Sequence, residues 1–271
     1  MTDLFLRDTP STRPALRRLV IMPAHNEAGN LPRVIPEVRR AAAGYDLVVI
    51  DDGSRDNTAE VAACLGATVV TLPVNLGYGG AVQTGFLYAA RCGYDLCVVI
   101  DADGQHDPAG IPLLAEAVES GAADVAIGSR FRGRMNYHQP FVKRLGMRVF
   151  AWTVSAVTRR PVTDPTSGFQ ALNADALAFL CRDNYPVDYP DADTLLVLHY
   201  AGFKTLEVPV TMRERISGVS MHSGWKPFYY IGKMWLSIAM VLLRQGTRIN
   251  PRRGPREKSA LEATTIMGGE A

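Results

Sequence analysis

The sequence predicts an α/β fold, in which helices cover both faces of a mostly parallel central sheet. Short apolar runs alternate with helical segments along the first 130 residues. The runs are continuous rather than alternately apolar and polar, which is typical of strands that are buried on both faces. Acidic and polar clusters follow three of these runs directly, at the strand ends where ligands bind in open parallel sheets. The pattern therefore favours an open α/β domain with a ligand site at one edge.

Each predicted strand is a run of apolar residues, and the predicted helices lie between the runs. The predicted strands are residues 19–22, 46–50, 67–72, 95–100, 124–127 and 203–210. The predicted helices are residues 31–43, 58–65, 81–91, 111–119, 141–157, 191–200 and 225–243. Residues 158–168 are rich in Pro, Thr and Gly and are expected to form a loop. The sequence contains no internal repeat.

We expect one domain over residues 18–222, between a flexible N-terminus (1–17) and an amphipathic helix (223–248). Residues 249–271 turn to Pro, Arg, Gly, Glu and Ser, which predicts a disordered tail. The chain has 271 residues, of which 47% are hydrophobic and 21% charged, as in ordinary folded soluble proteins. A net charge of +2 is too small to indicate a nucleic-acid partner.

The cysteines and the N-terminus bound the cellular compartment. Cys64, Cys92, Cys97 and Cys181 show no spacing typical of a metal site, so we expect free thiols in a reducing compartment. The N-terminus lacks the apolar core of a signal peptide. No stretch of about 20 uninterrupted apolar residues is present to span a bilayer. We therefore expect the body of the protein to be cytoplasmic.

Two aspartates follow the fourth predicted strand directly. Asp101 and Asp103 are separated by one residue at the end of a buried run, and Gln105 and His106 extend the polar set. Carboxylates placed in this way can jointly approach Mg²⁺ or Mn²⁺, which prefer oxygen ligands and often leave positions for substrate phosphates. Such a metal would act as a Lewis acid on a departing diphosphate. The alternative is a surface turn, in which Asp and Gly are common.

Polar residues also follow the first three predicted strands. Residues 23–27 read PAHNE, residues 51–56 read DDGSRD, and residues 75–80 read NLGYGG before a helix. Acidic side chains in these places can accept hydrogen bonds from a ribose hydroxyl or a base N–H. Ser54 and Asp56 are more readily interpreted as caps of the next helix, whereas Asp52 is harder to explain in that way. The glycines indicate either a phosphate contact or a tight turn.

These segments together resemble glycosyltransferases of family 2. The motifs PAHNE, IDDGSRDNT, NLGYGGAVQTG, DADGQHDP, IGSRF and TDPTSGFQALN occur in the order and spacing of that family. The nearest group looks like the dolichyl- and polyprenyl-phosphate sugar synthases, and the resemblance covers residues 20–220. It implies a GT-A nucleotide-sugar-binding fold, a UDP- or GDP-sugar donor and a divalent metal, Mg²⁺ or Mn²⁺.

The resemblance also implies a role for individual residues. The implied nucleotide-binding residues are Pro23, Ala24, Glu27, Asp52, Asp101 and Ala102. The implied metal ligands are Asp101, Asp103 and Gln105, and Asp103 is also counted among the catalytic residues. Arg130 matches an active-site arginine, and Arg215 matches the arginine of an RxxGxS loop that closes over the phosphates. Asp193 falls where the family places an acid near the acceptor.

The acceptor is left open between two chemistries. A phosphate acceptor is already ionised at neutral pH, whereas a hydroxyl acceptor needs a general base, for which Asp193 is the candidate. The polyprenyl-phosphate synthases usually carry a lysine after the serine of RxxGxS, where this sequence has Met221. His25 likewise replaces an aromatic residue of the first motif. A polyprenyl phosphate is the first hypothesis, a glycan or lipid-linked hydroxyl the second, and a non-catalytic subunit of a membrane complex the third.

The segment from Phe228 to Leu243 is a 16-residue apolar segment that Lys233 interrupts. As a helix it would reach about 24 Å, which is short of a bilayer core of about 30 Å. Flanking aromatic and basic side chains suit a helix that lies in an anionic headgroup region. The alternatives are packing on the chain's own domain or on a membrane partner protein. We therefore expect peripheral contact with the inner face of the cell membrane.

Overall fold

The computed structural model of the chain describes residues 16–133, 141–182, 185 and 192–213. The strands are β1 (Arg18–Ala24), β2 (Asp46–Asp51), β3 (Thr68–Thr71), β4 (Leu96–Val99), β5 (Val125–Ser129), β6 (Gln170–Asn173) and β7 (Thr205–Pro209). The helices are α1 (Leu31–Ala41), α2 (Thr58–Cys64), α3 (Tyr78–Cys92), α4 (Gly110–Glu119), α5 (Phe141–Thr158), α6 (Ala174–Leu180) and α7 (Ala192–Tyr200).

The strands form one sheet in the order β3-β2-β1-β4-β6-β5-β7. β1 pairs in parallel with β2 and β4, β2 with β3, and β5 with β7. Only β6 among the paired strands of this sheet runs antiparallel to its neighbours β4 and β5. The C-terminal ends of the six other strands therefore lie at one edge, together with the loop that enters β6.

Helices pack on both faces of the sheet, as the continuous apolar strands require. Along β1, Leu19 and Ile21 enter one apolar cluster, while Val20 and Met22 enter the other. The first cluster contains side chains of α3, α5, α6 and α7, and the second contains those of α1, α2 and α4. A strand buried on both faces has no polar face, so the alternation typical of half-buried strands is missing from the sequence.

The predicted α/β architecture with a mostly parallel sheet is confirmed. β6 and α6 are absent from the sequence-based assignment, which has no element between residues 168 and 191. β6 has only four residues, QALN, and its pairing with β4 and β5 on both sides stabilises it where its own sequence gives little signal. The Arg215 loop, the predicted helix 223–248, the tail and residues 1–15 lie outside the described residues.

Candidate active site

The predicted convergence of polar loops at one edge is present. The loops after β1, β2 and β4 and the loop before β6 all lie at the C-terminal edge of the parallel strands. The first two are joined directly, because Asp52 N donates to Ala24 O at 2.8 Å and Asn26 N donates to Ser54 Oγ at 2.9 Å. Ser54 therefore ties two loops together instead of capping α2.

A cavity of about 460 Å³ opens between the loops that follow β1, β2 and β3. It is lined by His25, Asn26, Gly53, Arg55, Val74 and Asn75. The resemblance assigned Pro23 and Ala24 to nucleotide binding. They pair with Ile50 and Asp51 in the sheet, at the ends of β1 and β2 from which two of these loops begin. The segments that line the cavity were recognised in the sequence, yet Gly53, Arg55 and Val74 carry no individual signal by which sequence reasoning could select them.

His25 is held in place at the rim of this cavity. Its Nδ1 lies 2.8 Å from Asp52 O and 3.0 Å from Asn75 Nδ2, and its Nε2 lies 2.9 Å from Asn26 Nδ2. The imidazole thus connects the loops that follow β1, β2 and β3. The resemblance identified His25 only as a departure from an aromatic residue, whereas the structure makes it a wall of the cavity.

Asp52 holds the loop that precedes α3. Its side chain is buried, and its two carboxylate oxygens accept the N–H groups of Leu76 and Gly77 at 2.7 and 2.9 Å. Gly53 has a φ of +62°, and a Cβ there would lie 2.8 Å from backbone atoms of Val74 and Asn75. Asp52 therefore braces one wall of the cavity through the backbone of the residues that precede α3, a role that the sequence does not predict.

Asp56 bonds to the start of α2, although the N-cap residue of that helix is Asn57 and has no side-chain cap. Its Oδ1 accepts Thr58 N at 3.1 Å and its Oδ2 accepts Ala28 N at 3.2 Å. Burial raises the pKa of Asp56, but these hydrogen bonds and one from the Thr58 hydroxyl outweigh it and hold the pKa below its ordinary value. The Thr58 hydroxyl also accepts Glu27 N at 2.9 Å, which places Glu27 beside the start of α2.

Asp101 and Asp103 follow β4 directly, and both are partly exposed. Ala102 between them is 2% exposed and packs in the core, so its side chain does not face a ligand. Asp101 Oδ2 lies 3.5 Å from His106 Nε2, while Oδ1 is shielded from solvent and has no hydrogen-bond partner among the described residues. Asp103 Oδ1 accepts Gln105 N at 3.0 Å.

The electrostatic environment keeps Asp101 ionised. Burial raises the pKa of this carboxyl, but the His106 ring, supported by Tyr78 and Arg130, outweighs burial and lowers the pKa below its ordinary value. An ionised carboxylate with an unpartnered buried oxygen is a suitable ligand for a hard cation.

The donor set fits a divalent ion that completes its shell with other ligands. No group of three or more His, Cys, Asp or Glu side chains that could hold a metal occurs within residues 16–133, 141–182 and 192–213. Mg²⁺ commonly binds through one or two carboxylates together with substrate phosphates and water. Asp101 and Asp103 meet that requirement, and the loop of Gln105 lies next to them.

Arg130 follows β5 and is largely buried. Its Nε and Nη2 donate to Asp164 at 2.6 Å each, and Nη2 also donates to Thr166 Oγ1 at 2.7 Å. The resemblance matched Arg130 to an active-site arginine. In the structure its bidentate partner is the carboxylate of Asp164, a residue that lies in a recognised motif but had no role assigned to it.

Asp193 lies in the first turn of α7 and is 3% exposed. Its Oδ1 accepts the N–H of Thr194 at 2.8 Å. α7 packs against α5 and β7. Asp193 therefore lies among elements that come later in the chain than the loop of Asp101 and Asp103. Its role at the acceptor stays a prediction, as does that of Arg215, which lies outside the described residues.

Comparison with known proteins gives the family. The glycosyl transferase family 2 profile matches residues 19–179, more than half of the chain. Polyprenol monophosphomannose synthase of Mycolicibacterium smegmatis is 35% identical over 229 residues, which cover 80% of this chain and 85% of the relative. Undecaprenyl-phosphate mannosyltransferase of Micrococcus luteus is 33% identical over 77% and 88%. Dolichol-phosphate mannosyltransferase of Pyrococcus furiosus is 33% identical over 78% and 61%.

Solved structures agree on the fold. Glucosyl-3-phosphoglycerate synthase of Mycobacterium tuberculosis, in complex with Mn²⁺, UDP and glucosyl-3-phosphoglycerate, superposes with a TM-score of 0.64 at 21% identity. The superposition covers 86% of this chain and 81% of that one. The same enzyme in complex with Mg²⁺ and UDP gives a TM-score of 0.65. The expected GT-A fold is thereby confirmed, and the chain belongs to glycosyl transferase family 2 and is a glycosyltransferase.

Proposed function

We propose that this glycosyltransferase moves a hexose from a UDP- or GDP-sugar to polyprenyl phosphate at the cytoplasmic face of the membrane. The observation that carries the donor half is the pair Asp101 and Asp103 after β4, with Asp101 Oδ1 shielded from solvent at the same edge of the sheet as the cavity. The acceptor half is supported by the names of three relatives, all of which are polyprenol-, undecaprenyl- or dolichol-phosphate mannose enzymes.

Different residues along this edge of the sheet would bind different parts of the substrates. The cavity around His25 and Arg55 would take the nucleoside, and Asp101, Asp103 and Gln105 would hold Mg²⁺ or Mn²⁺ beside the diphosphate. The metal, when bound, neutralises charge on the leaving diphosphate. Arg130 adds a fixed positive charge on the same side. The acceptor phosphate oxygen attacks the anomeric carbon as the bond to the diphosphate breaks, which inverts the configuration in one displacement.

Substitution of Asp103 tests the metal assignment. Purified protein with Mn²⁺, donor and polyprenyl phosphate should release nucleoside diphosphate, and Asp103→Ala should lower kcat by roughly a hundredfold or more, because charge stabilisation at the leaving group is lost. Asp95→Ala is the matched control, since Asp95 lies at the opposite end of the same strand, where it accepts Arg17 N at 3.0 Å. Turnover that survives both Asp103→Ala and a chelator would refute the metal site.

A hydroxyl acceptor is the second candidate, and the buried Asp193 favours it. A carboxylate at the start of α7 is of little use to an acceptor that is already ionised, whereas a hydroxyl acceptor needs a base. Asp193→Asn should therefore change kcat less than about threefold with polyprenyl phosphate and lower it by about 10²–10⁴ with a hydroxyl acceptor. Rates measured with both acceptors, with circular dichroism as a folding control, separate the two.

A further inference from the structure

Two further carboxylates, those of Asp164 and Glu207, hold Arg130 and the loop that precedes β6. Asp164 is 0% exposed and accepts three N–H groups of Arg130: the backbone N at 2.9 Å, and Nε and Nη2 at 2.6 Å. This geometry fixes both the position and the plane of the guanidinium. Because a buried carboxylate without its cation is costly, the pair must be kept together in the folded protein.

Glu207 on β7 fixes Asp164 in turn. Its Oε1 accepts the backbone N–H groups of Thr163 and Asp164 at 2.7 Å each, and its Oε2 accepts the Thr163 hydroxyl at 2.7 Å. Arg132 Nε lies 3.1 Å from Glu207 Oε2. The four charged groups Arg130, Arg132, Asp164 and Glu207 are balanced, two of each sign. The network spans the end of β5, the loop before β6, and β7.

The same loop continues from Arg130 to the metal carboxylates. Thr166 Oγ1 accepts a hydrogen bond from Arg130 Nη2 at 2.7 Å, and Gly168 follows two residues later, close to Tyr78 and Asp101. A Cβ added to Gly168 would lie 2.1 Å from Tyr78 Oη and 3.6 Å from Asp101 Oδ1. Residues 164–168 therefore connect the buried ion pair to the Asp101 carboxylate through one short, tightly packed stretch of chain.

We propose that Asp164 and Glu207 are positioning residues for sugar transfer. Asp164 holds the guanidinium of Arg130 against the loop that leads to Gly168 and Asp101, and Glu207 holds the loop that carries Asp164. Arg130 then presents a positive group in a fixed orientation to the donor diphosphate and the acceptor phosphate. Its side chain does not have to be reoriented during the reaction. This inference rests on the proposed function for the choice of substrates but concerns residues that the proposed function does not use.

The kinetic test compares two aspartates at opposite ends of the same strands. Asp164→Asn should lower kcat at least about tenfold, while the dissociation constant of the nucleoside diphosphate with Mn²⁺ stays within about threefold, because the loss falls on the transition state. In an Arg130→Lys background, Asp164→Asn should add no further loss, since both changes remove the same interaction. Asp124→Asn is the control: Asp124 accepts Lys204 N at 2.8 Å and Asn173 Nδ2 at 2.9 Å at the far end of the sheet.

A second measurement does not depend on turnover. In protein labelled with ¹⁵N-arginine, the Arg130 Nε–H signal, identified by its absence in Arg130→Lys, should exchange slowly with solvent in the wild type. It should exchange at least about tenfold faster in Asp164→Asn, and be unchanged in Asp124→Asn. If Asp164→Asn does not fold, Thr163→Val, which removes only the hydroxyl bonds to Glu207 and Ser129, should produce the same two changes to a smaller degree.

The two proposals fail in different ways. Suppose that the wild type is inactive with these substrates, but that Arg130 Nε–H is protected from exchange and loses this protection in Asp164→Asn. That result would reject the proposed substrates and keep the positioning role. An Arg130 signal that stays protected in Asp164→Asn would overturn the positioning role. An active wild type whose kcat falls equally in Asp164→Asn and Asp124→Asn would also overturn it, because the effect would then follow general stability.

Discussion

At the residue scale, the acids at the edge of the sheet have two kinds of task. Asp101 Oδ1 accepts no hydrogen bond from the described residues, whereas the carboxylates of Asp52, Asp56 and Asp164 accept hydrogen bonds within the protein. The residue type and its position after a strand predict that these acids lie at the edge of the sheet. They do not predict which acids could bind a cation and which accept hydrogen bonds within the protein. The separation depends on which backbone N–H groups the neighbouring loops bring within reach, and this is a property of the tertiary structure.

Asp52 gives the clearest test of that distinction. Asp52→Asn replaces one accepting oxygen by an NH₂ group, so either Leu76 N loses its partner or Gly77 N keeps only Asn75 Oδ1, at 3.1 Å. We expect unfolding to become about 1–3 kcal/mol easier. We also expect nucleoside diphosphate to bind at least about tenfold more weakly, because residues 74 and 75 line the cavity.

Urea unfolding and titration calorimetry measure the two effects of Asp52→Asn. Asp46→Asn is the control, because Asp46 lies at the other end of the same strand and its Oδ2 accepts only the Tyr94 hydroxyl, at 2.8 Å, near the surface. Its stability should change by less than about 0.5 kcal/mol and its affinity should not change. Weaker binding without any loss of stability in Asp52→Asn would contradict the bracing role and favour direct contact with the nucleoside.

At the element scale, the strands and helices of the first half were predictable because each is buried in a simple way. β1, β2 and β4 are continuous apolar runs, and their predicted positions are confirmed to within a few residues. β6 was not predictable, because QALN is too short and too mixed to carry a pattern and is a strand only through its neighbours. The start of α3 was predicted at residue 81 instead of Tyr78, since the glycines there suggested a loop.

The packing of α3 on β1 depends on a glycine and can be tested. A Cβ at Gly85 would lie 2.3 Å from Ile21 Cγ2, which is fully buried in the sheet. Gly85→Ala gains helix propensity of up to about 1 kcal/mol. It also forces α3 and β1 apart, at a cost of about 1–3 kcal/mol. We expect the second effect to dominate and urea unfolding to show a net destabilisation.

A matched glycine separates crowding from the general effect of adding a methyl group. A Cβ added to Gly29 would have no other side chain or distant backbone within 4 Å. Gly29→Ala should therefore leave the free energy of unfolding within about 0.5 kcal/mol of the wild-type value. If Gly85→Ala proved as stable as the wild type, α3 would be free to shift on the sheet, and the close contact with Ile21 would carry no structural weight.

At the scale of the whole molecule, one antiparallel strand explains how distant segments meet. β6 runs against β4 and β5, so the loop that enters it lies at the edge where β4 and β5 end. That reversal brings Asp164 to Arg130 and Gly168 to Asp101. The convergence of carboxylates from the first half could be expected from the sequence. Residues 163–168 could not be placed with them, because no strand was predicted after that loop.

Contact with a membrane is the remaining proposal at this scale. Among the described residues, no helix has the length and hydrophobicity that crossing a bilayer requires. Residues 214–271 carry nine Lys or Arg and four Asp or Glu, together with the apolar segment from Phe228 to Leu243. Each basic residue near an anionic surface contributes about 1 kcal/mol, and the attraction falls off over a Debye length of about 10 Å at 0.1 M salt.

Vesicle flotation with the full chain tests this contact. The protein should float with vesicles that contain phosphatidylglycerol at low salt, detach as the salt is raised to about 0.5 M, and ignore phosphatidylcholine vesicles. Replacing Arg252 and Arg253 by Gln should weaken binding roughly tenfold or more. Arg39 and Arg40 are exposed on α1, and replacing both by Gln removes the same amount of charge. This control replacement should have no effect on vesicle binding. Equal losses in the two double variants would mean that net charge, and not the C-terminal segment, governs binding.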